Sequence, residues 1–345
     1  MAAYISFQPK DFYNTTLYAG TGSSNAVTGV GFQPNLTWLK DRSSAYVPEL
    51  FDSQRGVEEQ FVTSTNAASS TESATLTAFG ADGFTVNNSN EVNKSGDNYA
   101  SWNWKMGTTT GIDTTGSDIT PTSYSFNQST GQSIILYPGS GSDHLLPHGL
   151  GKVPQLAIIK AVNATKYWMC YSAVTGNAKE FYLNGSSTAG ASTTWNSTTP
   201  TSVNISLDPG AGNGVNTSGT NYVGYFFTSI RGYSQVNQFR GNGNADGTCV
   251  YLGFRPAFLL VKCVSHAEPW LLWDDKRLGY NENNYRINAN ESGAENTSIE
   301  IDLLSNGFKL RTSGAHINGD GRQYLYYACA EFPFVSSNSK AGVAR

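Results

Sequence analysis

Two sets of charged side chains recur at identical spacing: Lys40, Asp52 and Arg55, then Lys262, Asp274 and Arg277. A lysine closing a buried strand beside an aspartate could form a polarised pair in which each group shifts the other's proton affinity. The same residues could instead make a buried ion pair that fixes register between neighbouring strands. A third set keeps Lys160 but has Ser172 and Thr175 where the acid and the arginine stand. A reaction centre would not survive that loss, so the structural reading is favoured. No other grouping offers a stronger site. Glycoside hydrolysis needs two carboxylates roughly 5 to 9.5 Å apart, and the acids here are scattered. Glu58-Glu59 and Asp274-Asp275 are adjacent, so on a strand their side chains point to opposite faces.

The nucleophile and metal motifs are equally sparse. No Gly-x-Ser-x-Gly turn exists to lift a serine toward a histidine. His144, His148, His266 and His316 lie in turn-like polar stretches, and the first two bracket Leu-Leu-Pro in a way no helical ligand pair does. Cys170, Cys249, Cys263 and Cys329 are too far apart in sequence for a structural zinc site. Three of them, Cys170, Cys263 and Cys329, sit in apolar runs and read as reduced core thiols. Asp208–Asn213 and Asn318-Gly-Asp320 offer oxygen ligands for calcium, although neither matches an EF-hand loop. Trp102, Trp104, Trp168, Trp195, Trp270, Trp273, Tyr280 and Tyr285 could stack on sugar rings. Most stand in strand-like runs that read as core. Trp195 lies in a Ser/Thr/Asn-rich stretch instead and is the candidate surface glycan contact.

The elements that must position these residues repeat three times. Pro34–Lys40, Pro154–Lys160 and Pro256–Lys262 each run proline, five mostly apolar residues, lysine. A Gly-x-Gly stands 14 or 15 residues before each proline, at Gly20/Gly22, Gly139/Gly141 and Gly241/Gly243. A tyrosine-led strand closes each unit, at Tyr99, Tyr222 and Tyr324, 65, 68 and 68 residues after the proline. Spacing held this closely means one supersecondary unit used three times. Pro154–Lys160 and Pro256–Lys262 are apolar on both alternating faces, the mark of central strands covered on both sides. Asp82-Gly83 and Asn306-Gly307 are turn signals leading into strands.

Helical periodicity is nearly absent, and the predicted fold is all-β: three repeated β-sandwich-like (jelly-roll-like) units. Residues 1–106 form unit one with an N-terminal arm, and 107–132 a Ser/Thr/Gly-rich linker. Residues 133–232 form unit two, and 233–345 unit three with a C-terminal tail. Only Arg231-Gly232 joins the last two units, so they are expected to be tightly coupled.

Composition narrows the function. The 345 residues carry 14% charged and 12% aromatic side chains, with a net charge of −4. That balance gives no basic face for nucleic acid. No run approaches the ~18–20 apolar residues of a membrane helix, and the N-terminus lacks the features of a signal peptide.

Several segments resemble one known group. Gly29–Arg42, Leu50–Gly56, His148–Pro154, Gly253–Phe258, Leu303–Arg311 and the ending Ala330–Phe334 are similar to the tandem-repeat virion proteins of marine tailed bacteriophages. The likeness runs from about Phe12 to the C-terminus, and its motifs mark a fold unit. It implies a structural, tail-fibre-like role with no catalytic residues and no cofactor. Members often carry an upstream region, whereas here the repeats start near the N-terminus. An appendage tip or a capsid decoration protein therefore fits as well as a piece of fibre. The implied protein is made in the host cytoplasm and incorporated into the virion. It would meet other virion proteins, copies of itself (a trimer first) and host surface glycan. A virion-borne polysaccharide-degrading enzyme is the rival from a different class.

Overall fold

The structure is a computed structural model that describes residues 5–210, 214–277 and 285–333. Tyr280, residues 211–213 and the tail Ser336–Arg345, all considered above, lie outside them. Each unit is an asymmetric sandwich of a large antiparallel sheet and a small one. The large sheets share one strand order. A lead strand (Tyr13–Ala19, Gln132–Pro138, Ser234–Arg240) pairs with the closing strand (Asn98–Trp104, Asn221–Phe227, Gln323–Pro333). The closing strand pairs with the proline strand (Leu36–Asp41, Leu156–Ala161, Phe254–Cys263), which pairs with an acid strand (Glu49–Asp52, Met169–Ser172, Trp270–Asp274).

The two-sided apolar character of the proline strands has a direct cause. Leu36 and Trp38, Leu156 and Ile158, and Phe258 and Leu260 face a core shared by all three units. Leu39, Ile159 and Leu259 face the opposite way, each into the sandwich of its own unit. Every residue of these strands is buried. Pro256 lies within its strand, at a break in register with the closing strand, where a missing ladder donor is tolerated. Units two and three are coupled through this shared core, and unit one enters it on the same terms.

The linker expected at 107–132 is only partly one. Ser123–Asn127 forms an extra strand on the edge of the unit-two sheet, paired with Gln132–Leu136, and Ile119 is buried. Its Ser/Thr content suits an edge strand as well as it suits a loop.

The Gly-x-Gly motifs hold the corner of each unit. A Cβ on Gly20, Gly139 or Gly241 would stand 2.0, 2.1 or 2.3 Å from a backbone oxygen. Gly22, Gly141 and Gly243 have φ of +69°, +77° and +64°, which favours glycine. The turn clamps to a buried asparagine that the sequence reading missed. Thr21, Ser140 and Asn242 donate their N–H groups to the Oδ1 atoms of Asn93, Asn216 and Asn318 at 2.9, 2.8 and 3.0 Å. Each asparagine stands six residues before the closing tyrosine, and that regular spacing was the available signal.

The tyrosines complete the corner. The hydroxyls of Tyr99, Tyr222 and Tyr324 accept from the N–H groups of Lys94, Thr217 and Gly319. They donate to the carbonyls of Asn90, Gly214 and Ala315 at 2.7, 2.8 and 2.6 Å. Tyr→Phe at any of the three strands a backbone donor and acceptor. Each variant is expected to lose about 1–3 kcal/mol, read from the midpoint of urea unfolding. Equal midpoints for Tyr222→Phe and the parent chain would exclude this role.

Candidate functional site

The side chains singled out by spacing converge on the seams between units. At the seam of units one and two, Asp52 accepts from the N–H groups of Gln54 and Arg55 at 3.0 and 2.9 Å. Its other oxygen accepts from Arg55 Nε at 2.6 Å and from the Tyr225 hydroxyl of unit two at 2.7 Å. Unit three repeats the arrangement toward unit one. Asp274 accepts from the N–H groups of Lys276 and Arg277, both at 2.9 Å, from Arg277 Nε at 2.7 Å and from Trp102 Nε1 at 2.9 Å. Tyr225 and Trp102 hold the same position in their closing strands, opposite Ile158 and Trp38. Burial alone would raise the Asp274 carboxyl, but the Arg277 charge and hydrogen bonds outweigh it and hold it below the ordinary range.

The expected Lys–Asp pair does not form. Asp52 lies opposite Leu36, four residues from Lys40 along the strand, which is about 13 Å at the usual rise. The arginines take the aspartates, and the lysines cap carbonyls. Lys160 Nζ donates to Lys166 O at 2.9 Å and, across the seam, to Asn66 O of unit one at 3.2 Å. Lys262 Nζ donates to Glu268 O at 2.5 Å and to Ser186 O of unit two at 2.9 Å. Lys40 Nζ donates to Asp41 O at 2.6 Å. Burial lowers Lys40 and Lys262 to about 8; burial and the Arg55 charge lower Lys160 to about 7. A lysine so tuned could act as a nucleophile, but all three are fully shielded from solvent. No substrate could reach them.

One backbone hydrogen bond repeats at each seam and closes a ring. Ser69 N–H donates to Val162 O at 2.8 Å, Ala189 N–H to Val264 O at 3.0 Å, and Glu295 N–H to Arg42 O at 3.0 Å. The three donors are equivalent, and so are the three acceptors, each two residues past the repeat lysine. Glu295 also bridges Arg42, at 3.0 Å on both oxygens, and Arg277 at 2.9 Å. The units are thus arranged like the subunits of a cyclic trimer, but within one chain.

The second-to-third seam departs from the pattern. Among the described residues the Ser172 hydroxyl has no partner across it; it accepts from Val174 N–H at 3.1 Å. An open cleft of ≈ 570 Å³ lies beside this turn, between Gln155, Ala173 and Val174 of unit two and Ser234–Gln238 of unit three.

The remaining candidates are structural. Trp195 is not on the surface: it is fully buried, edge-on to Tyr171, and its indole donates to Lys179 O at 3.0 Å. Asn196 and Ser197, with φ of +48° and +47°, carry the polar chain outward while the ring turns in. Trp102, Trp104, Trp168, Trp270 and Trp273 are buried, as are the thiols of Cys170, Cys263 and Cys329. His148 is buried between Thr201 O and the Leu150 N–H, and burial lowers it to about 4. Of the calcium candidates, Asp208 accepts from Thr193 and Gly210, and Asn318 is the corner clamp. No group of three or more His, Cys, Asp or Glu among the described residues is placed to hold a metal.

The three units and their seams are covered by one family model, a domain of unknown function (DUF7483) that matches residues 8–333. The chain belongs to the DUF7483 family. Its match takes in all three repeats, so the DUF7483 domain is the whole ring of units and not one unit of it. No curated protein and no solved structure matches the DUF7483 chain.

Proposed function

We propose that the chain is a non-enzymatic structural component of a tailed-phage particle, a tail-fibre or appendage module that faces the host. The observation that carries this reading is the closed ring of seam hydrogen bonds, with the repeat aspartates and arginines neutralised beside it. Charges spent on holding units together build shape rather than chemistry. Three like units about one axis also match the symmetry of a trimeric appendage, so one chain can cap such an axis. A surface low in charge and rich in hydroxyls and amides suits hydrogen bonding to host glycans.

The test is the position and copy number of the chain in purified particles, by labelled-antibody imaging and quantitative mass spectrometry. A small complement confined to the tail is the expected result. Copies spread over the head would make it a decoration protein and overturn the host-facing role. Turnover of host polysaccharide by the purified chain would overturn the non-enzymatic one.

A further inference from the structure

The cleft beside Ser172 is the counterpart of a slot that the chain fills at another seam. In unit two, the extra strand Ser123–Asn127 pairs antiparallel with Gln132–Leu136, the start of the lead strand. It lies against the acid turn of unit one, where Ser123 Oγ donates to Gln54 Oε1 at 2.6 Å. The equivalents of Gln132–Leu136 in unit three are Ser234–Gln238, and all five line the cleft. The opposite wall matches as well. Gln155, Ala173 and Val174 stand where unit one has Asn35, Ser53 and Gln54: Ala173 N–H donates to Gln155 O at 3.0 Å as Ser53 N–H does to Asn35 O at 2.8 Å. At the third seam, the N-terminal turn Pro9–Asp11 packs on the closing strand of unit three and the lead strand of unit one. Ser234–Gln238 lies on the edge strand of its sheet, and no described strand pairs with its outer side.

Beyond Ser234, its outward N–H groups are covered by side chains. Ser234 pairs with Ile230 through the backbone, but then the preceding chain turns away. Val236 N–H donates to Ser229 Oγ at 2.9 Å, and Gln238 N–H to the neighbouring Asn237 Oδ1 at 2.9 Å. The Arg240 carbonyl accepts from Thr248 Oγ1 at 2.8 Å. An open sheet edge with such provisional partners can accept an added strand.

We propose that this cleft binds an extended segment of another protein as an additional antiparallel strand on Ser234–Gln238. The walls state its chemistry. Val174, Leu252 and Phe254 supply apolar surface, and Gln155, Ser229 and Gln235 supply polar groups. The segment is therefore one that alternates aromatic with hydroxyl side chains, as Ser-Tyr-Ser-Phe-Asn does in unit two. Five residues span about 17 Å, the length of the lining run.

A fluorescent peptide with the sequence of Thr122–Gln128 serves as the probe, titrated into the full chain by anisotropy and followed by amide hydrogen exchange. Saturable binding and slowed exchange across Ser234–Arg240 are expected. Gln238→Pro removes an outward N–H without touching the ladder to the closing strand, and should weaken binding at least about ten-fold. Ala173→Arg blocks the exposed opposite wall and should do the same should the proline variant unfold. Absence of saturable binding, or binding unchanged in the folded variants, overturns the proposal. So does protection of Ser234–Arg240 without peptide, whether it rises with protein concentration (a second copy) or vanishes on removing residues 334–345 (the chain's own end).

Discussion

Asp52→Ala is expected to destabilise the chain by about 3–5 kcal/mol, because it leaves an arginine whose side chain is almost wholly buried without its anion. Arg55 would keep only neutral acceptors, namely Glu59 O, Leu50 O and the Ser69 hydroxyl. The Tyr225 hydroxyl would lose its acceptor across the seam. Asp274→Ala should cost less. Arg277 retains a carboxylate there, since Glu295 lies 2.9 Å from its guanidinium. The decisive comparison is with unit two, whose own sequence supplies the neutral alternative. Ser172 and Thr175 occupy the acid and arginine positions, and Thr175 Oγ1 donates to Ser172 O at 3.1 Å with no charge buried. Asp52→Ser with Arg55→Thr should therefore unfold at higher urea than Asp52→Ala alone, despite changing one more residue. That ordering is the signature of an uncompensated buried charge rather than of lost contacts. If the double variant is the weaker protein, the seam depends on the ion pair itself. A folded Asp274→Ala variant with parental stability would remove the structural role assigned to that aspartate.

Much of this architecture was legible in the repeats, because buried strands and tight turns restrict residue type. Pro154–Lys160 is apolar on both faces since one face meets the shared core and the other its own sandwich. The Lys–Asp pairing misled because spacing of twelve residues says nothing of register. The hairpin places Asp52 opposite Leu36 and so beyond the reach of Lys40. Trp195 misled for a local reason: its neighbours are polar, but two left-handed residues after it reverse the chain and bury the ring. The seam ring was invisible in principle. Its donors are backbone groups at Ser69, Ala189 and Glu295, whose side chains share nothing. Geometry repeats there without sequence repeating.

Glu49→Met is expected to stabilise the chain, by about 1–3 kcal/mol at neutral pH. Glu49 lies on the acid strand opposite Leu39, on the face that packs into the unit-one sandwich. The equivalent positions, opposite Ile159 and Val261, hold Met169 and Leu271. Glu49 is fully buried, and neither carboxyl oxygen has a hydrogen-bond partner among the described residues. Burial, with the charges of Glu91 and Glu72 behind it, raises its carboxyl well above the ordinary value. The folded chain therefore keeps a proton that the unfolded chain releases above roughly pH 4.3. Stability contributed by this group is present below that pH and is lost as pH rises toward the folded-state value. Methionine, unbranched and of similar length, fits the space and removes the penalty. The gain over the parent should consequently be larger at pH 8 than at pH 5, measured by urea unfolding at both. A variant that is less stable at both values would exclude the penalty assigned to this buried carboxyl.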